Sequence, residues 1–444
     1  MTSIVSRADM TRPFSAQSTE ASDPRMKIFI SAGEPSGDLH AANLIHALRE
    51  RVPDAEFLGY GGPKMAEAGA DLRYPLVNLA VMWFLSVFQN IATFIRLIVR
   101  ADRCFRDEKP DAVVLVDYPG LHWWIAKRAR ARGVPVFYFV PPQLWAWAGW
   151  RVEKVRKFVD LVLCSLPFEP DWYRQRGVSH ADYVGHPYFD ELYERDLDET
   201  FTTAMEAAGR PLLAILPGSR KLELKRNLPI MVRAAAKLAR ARPDVRFVVA
   251  CLHDAHRELA EGIIAEAVQS LGDLPAPELE LFAGKTPELI RVADVAWSVS
   301  GSVSLELMME ALPTVILYKV RPIDLVIARP FIKAKYITLV NLLADAELMP
   351  EYLTSQDVSD ELVRHAEGWF GDPEARARTT AELAALRYTA ARPGATTRAA
   401  DRILVWLREH GVETGAAPAV SDASYRGPHA RSVSLESVEE TDAA

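Results

Sequence analysis

Short runs rich in β-branched and aromatic residues alternate with helical stretches along most of this chain, and that alternation constrains its fold more than any other feature. Strands are predicted at 27–31, 56–60, 112–117, 135–140, 161–165 and 182–185. After a charged, apolar-poor stretch around 191–202, a second series follows at 212–217, 246–251, 278–283, 295–300 and 314–319. Segments of helical period lie between them, among others at 39–51, 227–242, 254–271 and 302–311. Strands separated by helices build parallel sheets from βαβ units, so two series predict two doubly wound α/β domains. The boundary is expected near 190–210, with helices from 321 to about 410.

A chain of 444 residues and 49.4 kDa is long enough for two cores. With 49% hydrophobic and 25% charged residues it is globular rather than disordered, collagenous or coiled-coil. The net charge of −7 gives no global attraction to nucleic acid. Cys104, Cys164 and Cys251 are too few and too scattered for a disulfide framework, which favours a reducing compartment. Residues 1–25 hold no continuous apolar run and read as a disordered leader rather than a secretory signal. From 411 onward the chain reads as an aperiodic tail.

One stretch needs a membrane test. Residues 74–95 carry no charge, but Pro75, Asn78, Ser86, Gln89, Asn90 and Thr93 interrupt them. From Val81 the apolar positions recur at helical spacing, with Arg96, Arg100 and Arg103 beyond. An amphipathic helix fits better than a span, either packed into the core or touching a lipid surface.

Ligands of such folds bind where strands end, so the residues following each strand are the candidates. Ser31 to Asp38 (SAGEPSGD) follows the first strand, and Gly33 and Gly37 permit a tight turn. There Glu34 either faces a cleft or belongs to a βα turn capped by Ser36 or Asp38. The segment matches neither a dinucleotide fingerprint nor a Walker loop. Asp117 ends an apolar strand before Tyr118-Pro119-Gly120, where it is a general base or a turn residue. Trp145, Trp147 and Trp150 cluster after the 135–140 strand, with Gln143 before them and Arg151, Lys154, Arg156 and Lys157 after, a combination suited to a sugar or a phosphorylated amphiphile.

In the second series, Gly218, Ser219 and Arg220 follow the first strand, and the guanidinium fork of Arg220 suits a diphosphate. Ser300, Gly301 and Ser302 lead into a helix whose free N–H groups can take a phosphate, and Glu306 could accept from ribose hydroxyls or complement the helix dipole. Two metal-like patterns carry less weight. Cys251, His253, Asp254 and His256 sit at one strand–helix junction without a further partner, and Asp196 and Asp198 lie in the acidic interdomain stretch.

Taken in order, these segments resemble the lipid-A-disaccharide synthase family. The matching pieces are AGEPSGD (32–38), GYGGPKM (59–65), LAVM (79–82), PDAVVLVDYPG (110–120), PQLWAW (142–147), SLPFE (165–169), VGHP (184–187), LPGSRKLE (216–223), SGSVSLE (300–306) and LVNLLADAEL (339–348). The resemblance implies a GT-B architecture, two Rossmann-like domains facing a cleft with C-terminal helices: 26–205 for acceptor and lipid, 206–410 for the UDP-sugar. It implies an inverting glycosyltransferase that joins UDP-2,3-diacylglucosamine to 2,3-diacylglucosamine 1-phosphate, forms a β(1→6) disaccharide and releases UDP. By motif, Asp117 corresponds to the general base and Glu34 to a second acid of the first domain. Gly218, Ser219, Arg220, Glu223, Ser300, Gly301, Ser302, Glu306 and Asn341 correspond to the UDP side. Ser36, Met82, Trp83, Phe84, Gln143, Trp145, Trp147 and Arg151 are the acceptor and lipid candidates. No cofactor, metal or nucleic-acid partner is implied. A peripheral place on the cytoplasmic face of the inner membrane is expected, as is a homodimer exchanging C-terminal segments. The sequence departs from the family pattern at Trp83, Ser86, Pro141, Val340 and Ala346, mostly in acceptor and lipid regions. Two alternatives remain at this stage: another enzyme on the same fold, a UDP-sugar epimerase or a transferase with a different lipid acceptor, and a non-catalytic lipid- or nucleotide-binding relative.

Overall fold

The computed structural model describes residues 25–77, 91–328 and 335–414. Nearly all of the expected leader, most of the expected tail, and Met82, Trp83 and Phe84 lie outside those residues. Within them the chain forms two parallel sheets. The first contains β1 (Lys27–Ala32), β2 (Glu56–Tyr60), β3 (Asp71–Tyr74), β4 (Ala112–Val116), β5 (Val136–Phe139), β6 (Leu161–Cys164) and β7 (Ala181–Tyr183). Its order is β3-β2-β1-β4-β5-β6-β7. The second contains β8 (Leu212–Ile215), β9 (Arg246–Cys251), β10 (Leu279–Ala283), β11 (Val295–Ser298), β12 (Thr314–Lys319) and β13 (Glu351–Thr354), ordered β10-β9-β8-β11-β12-β13.

Both sheets grow outward in two directions from a central pair, β1/β4 in the first and β8/β11 in the second, and both pairs are parallel. At each central pair the winding reverses, which opens a crevice at the carboxyl ends of the strands. The central strands are continuous apolar runs because helices cover both faces: Ala112 to Val116 are fully buried, as are Leu213 to Ile215. The edge strands β3 and β13 were not expected from the sequence. Each is four residues long and only partly buried, so neither carries a long apolar run.

Packing does not follow chain order at the C-terminus. The last helix, Ala395–Glu409, was expected to belong with the second domain. Its Ala399, Ala400, Ile403, Leu404 and Leu407 instead join Ile28, Ile30 and Leu44 in the core of the first. The outgoing chain near Val184 and the returning chain near Ala395 are fastened together. The Asp190 carboxylate accepts from the amides of Gly394, Ala395 and Thr396 at 2.7, 3.1 and 2.9 Å, and Arg398 Nε donates to the Val184 carbonyl at 2.8 Å. An N-cap supplied from more than two hundred residues away thus fixes where the returning helix begins.

Candidate active site

The loop after β1 and the loop after β4 flank the crevice of the first sheet, and this brings Glu34 and Asp117 together. Glu34 is the extended N-cap of the Pro35–Arg51 helix, which starts earlier than its periodicity suggested because Pro35 suits the first helical turn. Ser36 is exposed beside it. Asp38, a candidate cap for its own helix, is buried and serves another. It accepts from the amides of Gly62, Lys64 and Met65 at 2.7, 3.0 and 3.2 Å, capping the Pro63–Glu67 helix.

Asp117 and Tyr118 both take left-handed backbone conformations, with φ of 51° and 45°. Non-glycine residues there are costly and persist only where the surroundings hold them. Here the Asp117 carbonyl accepts from Tyr138 Oη and pairs with His122 Nδ1, each at 2.7 Å, while His122 Nε2 lies 2.9 Å from Ser31 Oγ. Burial pushes the Asp117 carboxyl up to about 6, aided by the negative charge of Glu34 and opposed by a backbone hydrogen bond from Tyr118. A carboxylate poised near neutrality at the lip of a sheet has the properties of a general base.

The tryptophan loop is tied down from behind. Trp145 is half-buried and donates through Nε1 to Glu169 at 3.1 Å; the other Glu169 oxygen accepts from the amides of Ser165 and Leu166, both at 3.0 Å. Burial pushes Glu169 up to about 7 against those hydrogen bonds. Gln143 is exposed, and Arg151 sits with its guanidinium 5.1 Å from the centre of the exposed Trp150 ring. Trp147 ends the short Leu144–Trp147 helix, and its side chain lies outside the description.

The crevice of the second sheet gathers the other candidates. Gly218 has φ of 114°, and a Cβ there would lie 2.6 Å from Glu223. Glu223 accepts from the amides of Ser219 and Arg220 at 3.1 and 3.2 Å and pairs with the Arg220 guanidinium at 3.2 Å. It therefore shapes the loop, whereas the Arg220 side chain is 60% exposed and can reach a ligand. Across β8/β11, Gly301 and Ser302 are exposed ahead of the Val303–Met309 helix, and Ser300 Oγ donates to the Ile337 carbonyl at 2.7 Å. Glu306 is mostly buried, with one oxygen bonded to Tyr188 Oη and the other 2.6 Å from Arg195 Nη1.

Asn341 departs from the expectation of a direct UDP contact. It is fully buried, its amide N–H groups donate to the Met349 carbonyl and Glu351 at 2.7 and 3.0 Å, and its Oδ1 accepts from the amides of Leu348 and Met349, both at 2.9 Å. With donors and acceptor saturated, nothing of the side chain is left for a ligand, and it fixes the turn instead. Two residues of the metal-like patterns act as helix caps. His253 Nδ1 accepts from the His256 amide at 3.2 Å as a helix cap, and Asp198 caps the Glu199–Glu206 helix and pairs with Lys285. No cluster of three or more metal-ligand side chains occurs among the described residues.

Sequence reasoning did not find Ser31, His122, Tyr138, Glu169, Tyr188 or Arg195 as supports of the site. Ser31 and Glu169 stand inside the quoted segments SAGEPSGD and SLPFE without a role assigned to them, and His122 left a local trace as a histidine one turn into the helix behind Asp117.

Residues 28–384 match the family model described as lipid-A-disaccharide synthetase. The chain belongs to the lipid-A-disaccharide synthase family. Curated family members include the lipid-A-disaccharide synthase of Myxococcus xanthus (strain DK1622), 35% identical over 382 residues, covering 86% of this chain and 97% of the relative. That of Anaeromyxobacter sp. (strain K) is 36% identical over 388 residues, covering 87% and 99%. Among solved structures, a putative UDP-N-acetylglucosamine 2-epimerase from Listeria monocytogenes superposes with a TM-score of 0.58 at 15% identity, covering 89% of this chain and 99% of that one. At that identity the likeness concerns the fold alone, and it agrees with the GT-B type arrangement of two Rossmann-like sheets in this lipid-A-disaccharide synthase family member.

Proposed function

We infer that this chain is a lipid-A-disaccharide synthase, an inverting glycosyltransferase that joins UDP-2,3-diacylglucosamine to 2,3-diacylglucosamine 1-phosphate. The observation that carries the chemistry is Asp117 raised to about 6 beside Glu34 at the switch point of the first sheet. Asp117 takes the proton of the acceptor's primary hydroxyl as that oxygen bonds to the donor's anomeric carbon. The bond from that carbon to the diphosphate oxygen breaks, and UDP leaves with the electron pair. One displacement inverts the anomeric centre. Glu34 faces the acceptor. Arg220, on the loop that Ser219 and Glu223 brace, and the backbone N–H groups of 301–302 receive the charge of the leaving diphosphate. Glu223 and Asn341 hold those loops, and Glu306 faces the ribose while tied to Tyr188 and Arg195. Ser36, Met82, Trp83, Phe84, Gln143, Trp145, Trp147 and Arg151 serve the acceptor and its acyl chains. The epimerase alternative rests on fold likeness alone and is not favoured, since family membership follows the synthase.

Among the described residues no helix is long and apolar enough to cross a membrane. The Ile91–Asp107 helix nevertheless leaves Ile91, Ile95 and Val99 54%, 57% and 41% exposed at four-residue spacing, with Arg96, Arg100 and Arg103 exposed alongside. That pattern supports peripheral contact with an anionic membrane; the cytoplasmic face of the inner membrane is the place this reading assigns to it from the synthase reaction alone. A homodimer completes this reading and is tested by light scattering, with a monomer at all concentrations as the opposing result; the Ala395–Glu409 helix, seated on its own first domain, is not the segment exchanged.

The deciding experiment is mass spectrometry of the product formed from the two named substrates by purified protein and by Asp117→Asn. A tetraacyl disaccharide 1-phosphate from the wild type, absent with the variant, is the expected result. UDP release without the disaccharide would point to another acceptor.

A further inference from the structure

Asp117 lies where β4 ends, so its carbonyl has left the ladder that serves Ala112–Val116. Two buried side chains take that carbonyl over, Tyr138 from β5 and His122 from the Pro119–Ala131 helix, and both are fully buried. A carbonyl only accepts, so His122 carries its proton on Nδ1, and Nε2 accepts from the Ser31 hydroxyl of β1. The relay Ser31–His122–Asp117 therefore spans β1, the helix and the end of β4, and joins the two strands that frame the crevice.

We propose that His122 is a positioning residue for the base: together with Tyr138 it clamps the main-chain carbonyl of Asp117 in its left-handed turn and so aims the Asp117 carboxylate at the acceptor hydroxyl. This role rests on the reaction proposed above. Other titratable groups around Asp117 are Glu34, Tyr118 and Tyr138. Burial holds His122 down at about 4, so it is neutral at the working pH. A neutral donor fixes the turn without placing a cation beside the base, which would draw its pKa back down.

The test compares wild type, His122→Leu, His122→Asn and Tyr138→Phe in disaccharide formation from UDP-2,3-diacylglucosamine and 2,3-diacylglucosamine 1-phosphate. The His122→Asn variant keeps a donor near the Nδ1 position and gives up the Ser31 contact. His122→Leu is expected to lower kcat roughly 30- to 100-fold with the donor KM within about threefold, the pattern of a loss confined to the transition state. Its acid limb in kcat/KM should move toward the ordinary carboxylate range, as the freed Asp117 turns toward water. His122→Asn should recover most of the rate, and Tyr138→Phe should fall between. His122→Leu within about twofold of wild type, or His122→Asn as impaired as His122→Leu with an unmoved acid limb, would overturn the positioning role while leaving the reaction standing. A folded wild type that forms no disaccharide would overturn the reaction and this role with it.

Discussion

The ring of Tyr118 fills the space that a side chain at Gly33 would need. A Cβ built on Gly33 would lie 2.2 Å from Tyr118 Cγ, so the loop after β1 and the loop after β4 interlock at the crevice. Tyr118 is the left-handed neighbour of Asp117, and Gly33 is the neighbour of Glu34. The contact that positions one acidic residue therefore positions the other.

Gly33→Ala is expected to push these loops apart. Overpacking of this kind costs about 1–3 kcal/mol, and displacement of the base should lower kcat more than tenfold. Urea denaturation and steady-state rates on the same preparation check both effects. Wild-type kinetics in the variant would mean that the two loops move independently.

Asp117→Asn should abolish transfer while leaving UDP affinity within a few-fold, measured by calorimetry. It should also change stability in a defined direction. The carboxyl is raised from 3.8 to about 6 in the folded chain, so the stability it contributes is complete below about 4 and lost as pH rises through 6. Above pH 7 the asparagine variant should therefore be more stable than wild type by about 1–3 kcal/mol, an advantage that shrinks toward pH 4. Denaturation series across that window decide the sign.

Glu169→Gln keeps one oxygen for the amides of Ser165 and Leu166 and turns an N–H group toward Trp145 Nε1, itself a donor. Loss of that bond should cost about 1–2 kcal/mol and loosen the tryptophan loop. The raised carboxyl of Glu169 makes wild-type stability fall as pH rises from about 4 through 7. The variant should lack that part of the slope, which thermal melts across the range would reveal.

Asp190→Ala removes the cap from the helix that returns to the first domain and leaves the amides of Gly394, Ala395 and Thr396 without it. A cost of about 1–2 kcal/mol is expected. Hydrogen exchange should speed up first at the start of the Ala395–Glu409 helix, and uniform exchange across the whole chain would argue against local release.

Ile95→Asp places a charge in the exposed apolar stripe of the Ile91–Asp107 helix. Co-sedimentation with anionic vesicles should weaken about tenfold or more, with less effect on neutral vesicles. Unchanged sedimentation would remove this helix from the membrane contact.

The alternation of apolar runs and helical periods determined two α/β domains and located the strand-end loops, because strands covered on both faces must be continuously apolar. It also marked Glu34, Asp117, Arg220 and 300–302 as candidates, since ligands of parallel sheets gather beyond strand ends. The short, partly buried edge strands β3 and β13 left too little pattern to find. Strand order decided which loops meet: β1 pairs with β4 and β8 with β11, and nothing local to those sequences specifies their neighbours. Tertiary structure also decided the roles of polar residues. Asp38 caps a helix 24 residues away, Asn341 closes on its own turn, and Ser31 meets His122 across 91 residues. The docking of the Ala395–Glu409 helix on the first sheet is of the same kind. An amphipathic period reports that a face will be buried, whereas the identity of the surface that buries it follows from the packing of the whole chain.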